Sequence, residues 1–341
     1  MSPEPSFLIV RLGALGDIVH GLPALAALRA AYPAARIDWL ADARHRAVLE
    51  LVPALTGRVY VDTRRWRGPT GLRGVLADLR HARYRVAIDL QGLIKSAVLA
   101  RLSGTARIIG FDRPHVREGW ASAWYTEAVD PGSRTHVVDR GLALAEAAGA
   151  TAASRPEFPL LVPASDAPDA VRRLLGLGDT EGFAAINPGA AWPNKRWPAA
   201  RFGALAAAIH ARCGLRSIVL WGPGEQSLAA DVSTASAGAA VPAPATSLGD
   251  LVAVLASARL VVSGDTGPLH LAAALGTPVV GLFGPTDPRR NGPWAGADVT
   301  VSRSIQCLCS HERRCIAARW CLDDVAVPEV VEAVAARLAR P

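Results

Sequence analysis

Short apolar runs alternate with longer stretches of helical periodicity along almost the whole chain. FLIVRL precedes a helical pattern from Ile18 to Ala31, RIDWLA precedes one near Arg44 to Val52, and RVAIDL leads into GLIKSAVLARLSG. The second half repeats the scheme with FAAINPG, RSIVLWG, RLVVSGD and PVVGLFG, each followed by a turn and often a helix. Strands separated by helices build parallel sheets covered by helices on both faces. Around Leu161 to Ala170, Pro, Ala and Asp interrupt the periodicity, which marks a linker. The expectation is an α/β chain with two parallel-sheet domains facing a central cleft. Their expected ranges are residues 1–165 and 166–327, and a final helix within 328–341 is expected to pack back across both. In such folds ligands sit at the carboxyl ends of the strands.

The chain has 341 residues, enough for two domains, and its 50% hydrophobic and 20% charged composition is globular. FLIV is cut short by Arg11, so no signal peptide is expected. The uncharged stretch Thr266 to Thr286 is broken throughout by Gly and Pro and is not a membrane span. Net charge is +7, and the stretch from Arg58 to Glu118, with 13 basic and five acidic residues, accounts for the whole excess. A local basic surface attracts phosphorylated ligands, nucleic acid or an anionic membrane, and a solvated arginine-rich surface explains it equally well. No RNA- or DNA-reading signature accompanies it, so nucleic acid is not expected as a partner. Of 37 basic residues only Lys95 and Lys195 are lysine. Lysine is a compact point charge and arginine a planar fork, so both positions are candidates for holding a charged ligand. Cys307, Cys309, Cys315 and Cys321 have the spacing C-x-C-x5-C-x5-C, without the C-x2-C pairs typical of structural zinc. They read as a local structural cluster, with zinc or a disulfide as alternatives.

Four segments carry candidate chemistry. RLGALGDIVHGLPAL ends the first strand in a Gly-permitted turn and places Asp17 at or near a helix start. A helix cap explains such an aspartate, and so does a base that accepts a proton from a hydroxyl. The turn lacks the G-x-G of the dinucleotide fingerprint. In SGDTGPLHLAAALGTPVVGLFGPTDP, a strand runs into Asp265, Thr266, Gly267 and Pro268, and His270 follows one turn into a helix. Open backbone N–H groups and the helix dipole suit a phosphate there. NPGAAWPNKRWP offers Lys195 to the same anion, and WGPGE offers Glu225 to a ribose hydroxyl. No D-x-D occurs in the chain, so no metal bridge to a diphosphate is expected; Lys195, amides and the dipole would balance the charge.

Together RLGALGDIVHGLPAL, AIDLQGLIKSA, NPGAAWPNKRWP and SGDTGPLHLAAALGTPVVGLFGPTDP resemble glycosyltransferase family 9, the ADP-heptose:lipopolysaccharide heptosyltransferases, over essentially the whole chain. The resemblance implies a GT-B fold of two Rossmann-like domains and an inverting, metal-independent transfer of heptose from ADP-heptose. It implies Asp17 as general base, Lys195 on the ADP phosphates, and Asp265, Thr266, Gly267 and His270 as the donor loop. DTRRWRG is similar to the segment that holds an anionic Kdo–lipid A acceptor, which makes Arg64, Arg65 and Arg67 acceptor candidates. Lys95, Arg117 and His136 match further acceptor positions. A lipid acceptor implies peripheral contact with the cytoplasmic face of the inner membrane. There Trp120 and Trp124 would be interfacial, unless they are ordinary core aromatics. Two departures bear on the acceptor: Ala190 and Ala191 stand where the first-heptose enzyme is expected to carry hydroxyls, and the cysteine-rich tail is more typical of other members. A second-heptose transferase, or another transferase of this fold with a different acceptor or sugar, is therefore the alternative. A nucleotide-sugar binder without chemistry would have no use for Asp17.

Overall fold

The computed structural model describes residues 5–64, 69–151, 155–309, 312, 314–318 and 320–340. Two compact units divide the chain, Met1–Leu161 and Val162–Pro341.

The first unit is built on six parallel strands: β1 Ser6–Val10, β2 Arg36–Asp42, β3 Gly57–Val61, β4 Val86–Asp89, β5 Arg107–Phe111 and β6 Glu127–Val129. Their order across the sheet is β3-β2-β1-β4-β5-β6. Phe7, Leu8, Ile9 and Val10 of β1 are all buried. Continuous burial, in place of alternation, is what a central parallel strand covered on both faces requires. The helix Leu15–Ala31 that follows β1 is buried almost all round, from Gly16 and Ile18 to Leu28. Strand order reverses between β1 and β4, so the loops after these two strands, carrying Asp17 and Lys95, flank the switch point where ligands bind in open α/β sheets.

The second unit repeats the plan with β7 Ala184–Asn187, β8 Ser217–Val219, β9 Ala240–Pro242, β10 Leu260–Gly264, β11 Val279–Phe283 and β12 Val299–Ser302. The order is β12-β11-β10-β7-β8-β9, the same topology written from the other edge. Here the switch point lies between β7 and β10, whose register pairs Asn187 with Ser263 at the strand ends. The segments that follow carry Lys195 and Asp265. One core cluster includes Ile186, Trp197, Phe202, Val262, Val280 and Leu282. The final helix, Val327–Leu338, adds Val330 and Val334 to it and is fixed by Arg337, whose Nε lies 2.8 Å from Asp298 Oδ1. Among the described residues, no helix is long and apolar enough to cross a membrane.

Candidate active site

In the second unit, β10 ends at Gly264 and the chain turns through Asp265 and Thr266 into the helix Gly267–Ala274. Thr266 is the extended N-cap residue, but its side chain makes no cap bond, and Pro268 supplies no N–H. The Thr266 hydroxyl is held by Asn187 Nδ2 at 3.0 Å and stands 3.0 Å from Ser263 Oγ. With no cap over the helix start, its N–H groups and the dipole remain able to meet an anion.

Asp265 is the hub. Lys195 Nζ lies 2.5 Å from Oδ2 and Thr286 donates to the same oxygen at 2.7 Å. Asn291 Nδ2 donates to Oδ1 at 3.0 Å, and His270 Nε2 lies 3.0 Å from that oxygen. Only 4% of the Asp265 side chain is exposed. Burial opposes its ionisation, but His270 and Lys195 outweigh it and hold the carboxyl well below the usual carboxylate range. Lys195 itself closes the short helix Pro193–Lys195 and sits 4.9 Å from the Trp192 ring centroid. One charge of each sign is thus fixed beside an uncapped helix start.

Glu225 begins the helix Gln226–Ala235 after β8. Its Oε2 accepts the Gly222 N–H at 3.1 Å and its Oε1 stands 3.5 Å from Arg196. A β-carbon on Gly189 would fall on the Glu225 carboxylate, so the loop after β7 can pass there only as glycine.

In the first unit Asp17 is the third residue of its helix and not the cap. Oδ2 accepts the Ala14 N–H at 3.0 Å, and Oδ1 pairs with Arg11 Nη2 at 2.7 Å. Its side chain is 45% exposed. The turn before it needs Gly13, which has φ of 150° and whose missing β-carbon would collide with the His45 ring. Asp89, at the end of β4, is fully buried and accepts from Gln91 and Gly92 N–H, Ser96 Oγ and Tyr125 OH. This fixes the loop in which Gln91 Oε1 takes the Leu12 N–H at 2.7 Å, joining the turns after β1 and β4.

Lys95 is exposed in the first turn of the helix Ile94–Leu102, and Arg64 and Arg117 are exposed in turns. Arg65 and Arg67 lie outside the described residues. His136 is the N-cap of the helix Val137–Ala147, where Nδ1 accepts the Val138 N–H at 3.2 Å, and its ring stands edge-on to His20 at 5.8 Å. Trp120 and Trp124 are 72% and 41% exposed, so they are not core aromatics. Sequence reasoning passed over Arg11, Asn187, Thr286 and Asn291. The first three stand inside the quoted motifs, but only distances reveal their partners; Asn291 lies beyond them and carried no signal.

Two parallel sheets of this order are the two Rossmann-like units of a GT-B-type architecture, and the lysine beside an uncapped helix at the switch point of the second makes a site for an anionic ligand. Residues 73–321 match the model of glycosyltransferase family 9 (heptosyltransferase). The chain is 32% identical to lipopolysaccharide heptosyltransferase 1 of Pseudomonas aeruginosa over 324 residues, covering 90% of this chain and 86% of that one. It is 31% identical to lipopolysaccharide heptosyltransferase 1 of Escherichia coli K12, covering 82% and 88%. The solved structure of E. coli heptosyltransferase WaaC with ADP superposes with a TM-score of 0.76 at 27% identity, covering 98% of this chain and 99% of that one. The chain belongs to glycosyltransferase family 9.

Proposed function

We propose that this glycosyltransferase moves heptose from ADP-heptose to the Kdo or inner-core region of a lipopolysaccharide acceptor, inverting the anomeric centre without a metal ion. The observation that carries the proposal is the Lys195–Asp265 pair beside the uncapped start of the helix Gly267–Ala274. The relatives that support it are lipopolysaccharide heptosyltransferases, and one was solved with ADP.

Lys195 and the amides at the helix start hold the donor diphosphate, and Glu225 takes the ribose. Asp265, Thr266 and His270 complete the donor loop around Gly267. A buried carboxylate repels a diphosphate, so Asp265 acts by aiming Lys195 and His270. Arg64, Arg65, Arg67, Lys95, Arg117 and His136 receive the anionic acceptor. Asp17 takes the proton of the acceptor hydroxyl while that oxygen bonds to the anomeric carbon. The bond from that carbon to the diphosphate breaks, and its electron pair leaves with ADP. Charge growing on the diphosphate is met by Lys195 and the helix dipole. Arg11, 2.7 Å from Asp17, orients the base. Exposed Trp120, with Arg113 5.6 Å from its ring centroid, suits an anionic membrane surface, where such aromatics partition at headgroup level. The site of action is then the cytoplasmic face of the inner membrane.

Ala190 and Ala191, next to the Lys195 segment, favour a second reading in which the acceptor already carries one heptose. Donor-dependent ADP release separates the two. The proposal expects turnover with Kdo–lipid A and little with its singly heptosylated form; the reverse ranking establishes the second reading. Release with neither acceptor defeats both.

A further inference from the structure

Between β12 and the helix Val327–Leu338, apolar burial accounts for Leu322 and Val325 but not for the described residues before them. Ile305, Leu308 and Ile316 point outward, 92%, 76% and 73% exposed, while Cys309 is 1% exposed. Ordering a loop costs about 1–2 kcal/mol per residue in backbone entropy. Leu322 and Val325 anchor the end of the segment in the core. The described residues that carry Cys307, Cys309 and Cys315 have no buried apolar anchor besides Cys309 itself and need some other bond to hold them.

The sulfurs supply the candidate. Cys307, Cys309, Cys315 and Cys321 all line one cavity of ≈ 100 Å³. Cys309 Sγ and Cys315 Sγ lie 3.1 Å apart, and all five cysteines of the chain are thiols rather than disulfides. Backbone amides point at two of these sulfurs: Cys309 N–H at Cys307 Sγ, 3.4 Å, and Ile316 N–H at Cys309 Sγ, 3.1 Å. Amide donors favour the thiolate over the thiol, and hydrogen bonds to ligand atoms are what orient them in metal sites. Four thiolates at about 2.3 Å from one ion satisfy a tetrahedral thiophilic cation.

We propose that Cys307, Cys309, Cys315 and Cys321 form a four-sulfur site for zinc or iron(II), the four sulfurs drawing together around the ion. Each cysteine gives its thiol proton to solvent and its sulfur lone pair to the metal. This site is separate from the chemistry of transfer and braces its floor. Asn194, next to Lys195, donates from Nδ2 to the Glu312 carbonyl at 2.9 Å, within the cysteine segment. Cys321 and Leu322 pack where a β-carbon on Gly284 would stand, and Arg201 donates to the Asp323 and Val325 carbonyls at 2.8 Å. Among the described residues, Asp112, His115 and Asp130 are the group whose ligand atoms already lie within 4.8 Å of one another, but it is solvated, with Asp130 68% exposed; the four sulfurs have to draw closer together to share an ion.

Metal analysis of the full chain, purified without chelator under reducing conditions, tests this without reference to activity. The expected result is one zinc or iron per chain, and elemental analysis distinguishes the two. Cys309→Ser and Cys321→Ser should lose the metal, while Cys213→Ser, on the helix Ala199–Cys213, keeps it. If the serine variants do not fold, cobalt(II) added to the stripped wild-type chain should give the thiolate charge-transfer band of a tetrahedral four-sulfur site. A metal-free chain that takes up neither zinc nor cobalt(II), or one in which Cys309 and Cys315 are joined as a disulfide, overturns the proposal.

Discussion

Asp265 collects four partners from three segments: Lys195 after β7, His270 on the helix that follows Asp265, and Thr286 and Asn291 after β11. Removing one member of a buried charged pair costs about 3–5 kcal/mol because the other is left uncompensated. Asp265→Asn should therefore lower stability by about 3 kcal/mol at neutral pH, measured by denaturant unfolding. The pH dependence follows from the depressed folded-state carboxyl. A carboxyl held below its unfolded value of about 3.9 contributes its full stability above that pH and loses it as pH falls further. The gap between wild type and Asp265→Asn should stay constant from pH 7 to about pH 4 and narrow only below it. A gap that closes already near neutrality would assign the effect to another group. Lys195→Ala removes a charge-assisted bond to phosphate, worth about 1.5–3 kcal/mol, and should weaken ADP binding about ten- to hundred-fold by calorimetry. Unchanged ADP affinity would remove Lys195 from the donor site. Lys195 was legible because it is one of two lysines among 37 basic residues. Asn291 was not, since a lone asparagine carries no signal until β10 and the turn after β11 bring it to Asp265.

At the scale of elements, the central strands were legible and the outer ones were not. β1, β2, β4, β7, β8, β10 and β11 carry apolar runs because parallel strands buried on both faces need them. β3, β6 and β12 lie half-exposed at or beside sheet edges, and β9 is only Ala240–Pro242. Their mixed sequences reflect that exposure. β5 was hidden for another reason: Gly110 interrupts its apolar run so that Tyr125 can pass over it, and a β-carbon there would meet the Tyr125 ring. The start of the first helix was misplaced by three residues because its N-cap is Ala14, which carries no capping side chain. The turn before it depends on glycine. Gly13→Ala forces a β-carbon into the His45 ring at φ 150° and should cost about 1–3 kcal/mol, read as a lowered Tm. A neutral result would mean that this turn relaxes freely.

For the whole molecule, the resemblance of four motifs carried the fold further than periodicity alone, because each motif sits where a strand of a 3-2-1-4-5-6 sheet meets its following loop. Composition and spacing could not reach the partners of Asp17, which depend on Arg11 folding back across the turn after β1. The account assigns donor and acceptor to different units, and hydrogen exchange can read that assignment. ADP should slow exchange at the start of the helix Gly267–Ala274 and around Pro193–Lys195, and leave Leu15–Ala31 unchanged. Protection of Leu15–Ala31 alone would reverse the assignment. The central claim is that Asp17 is the base, and Asp17→Asn tests it most directly. Asparagine keeps an oxygen for the Ala14 N–H, so the helix start is preserved while proton acceptance is lost. Transfer from ADP-heptose should fall about 10²–10⁴-fold with ADP affinity unchanged. Transfer at the wild-type rate by a folded Asp17→Asn chain would contradict the account.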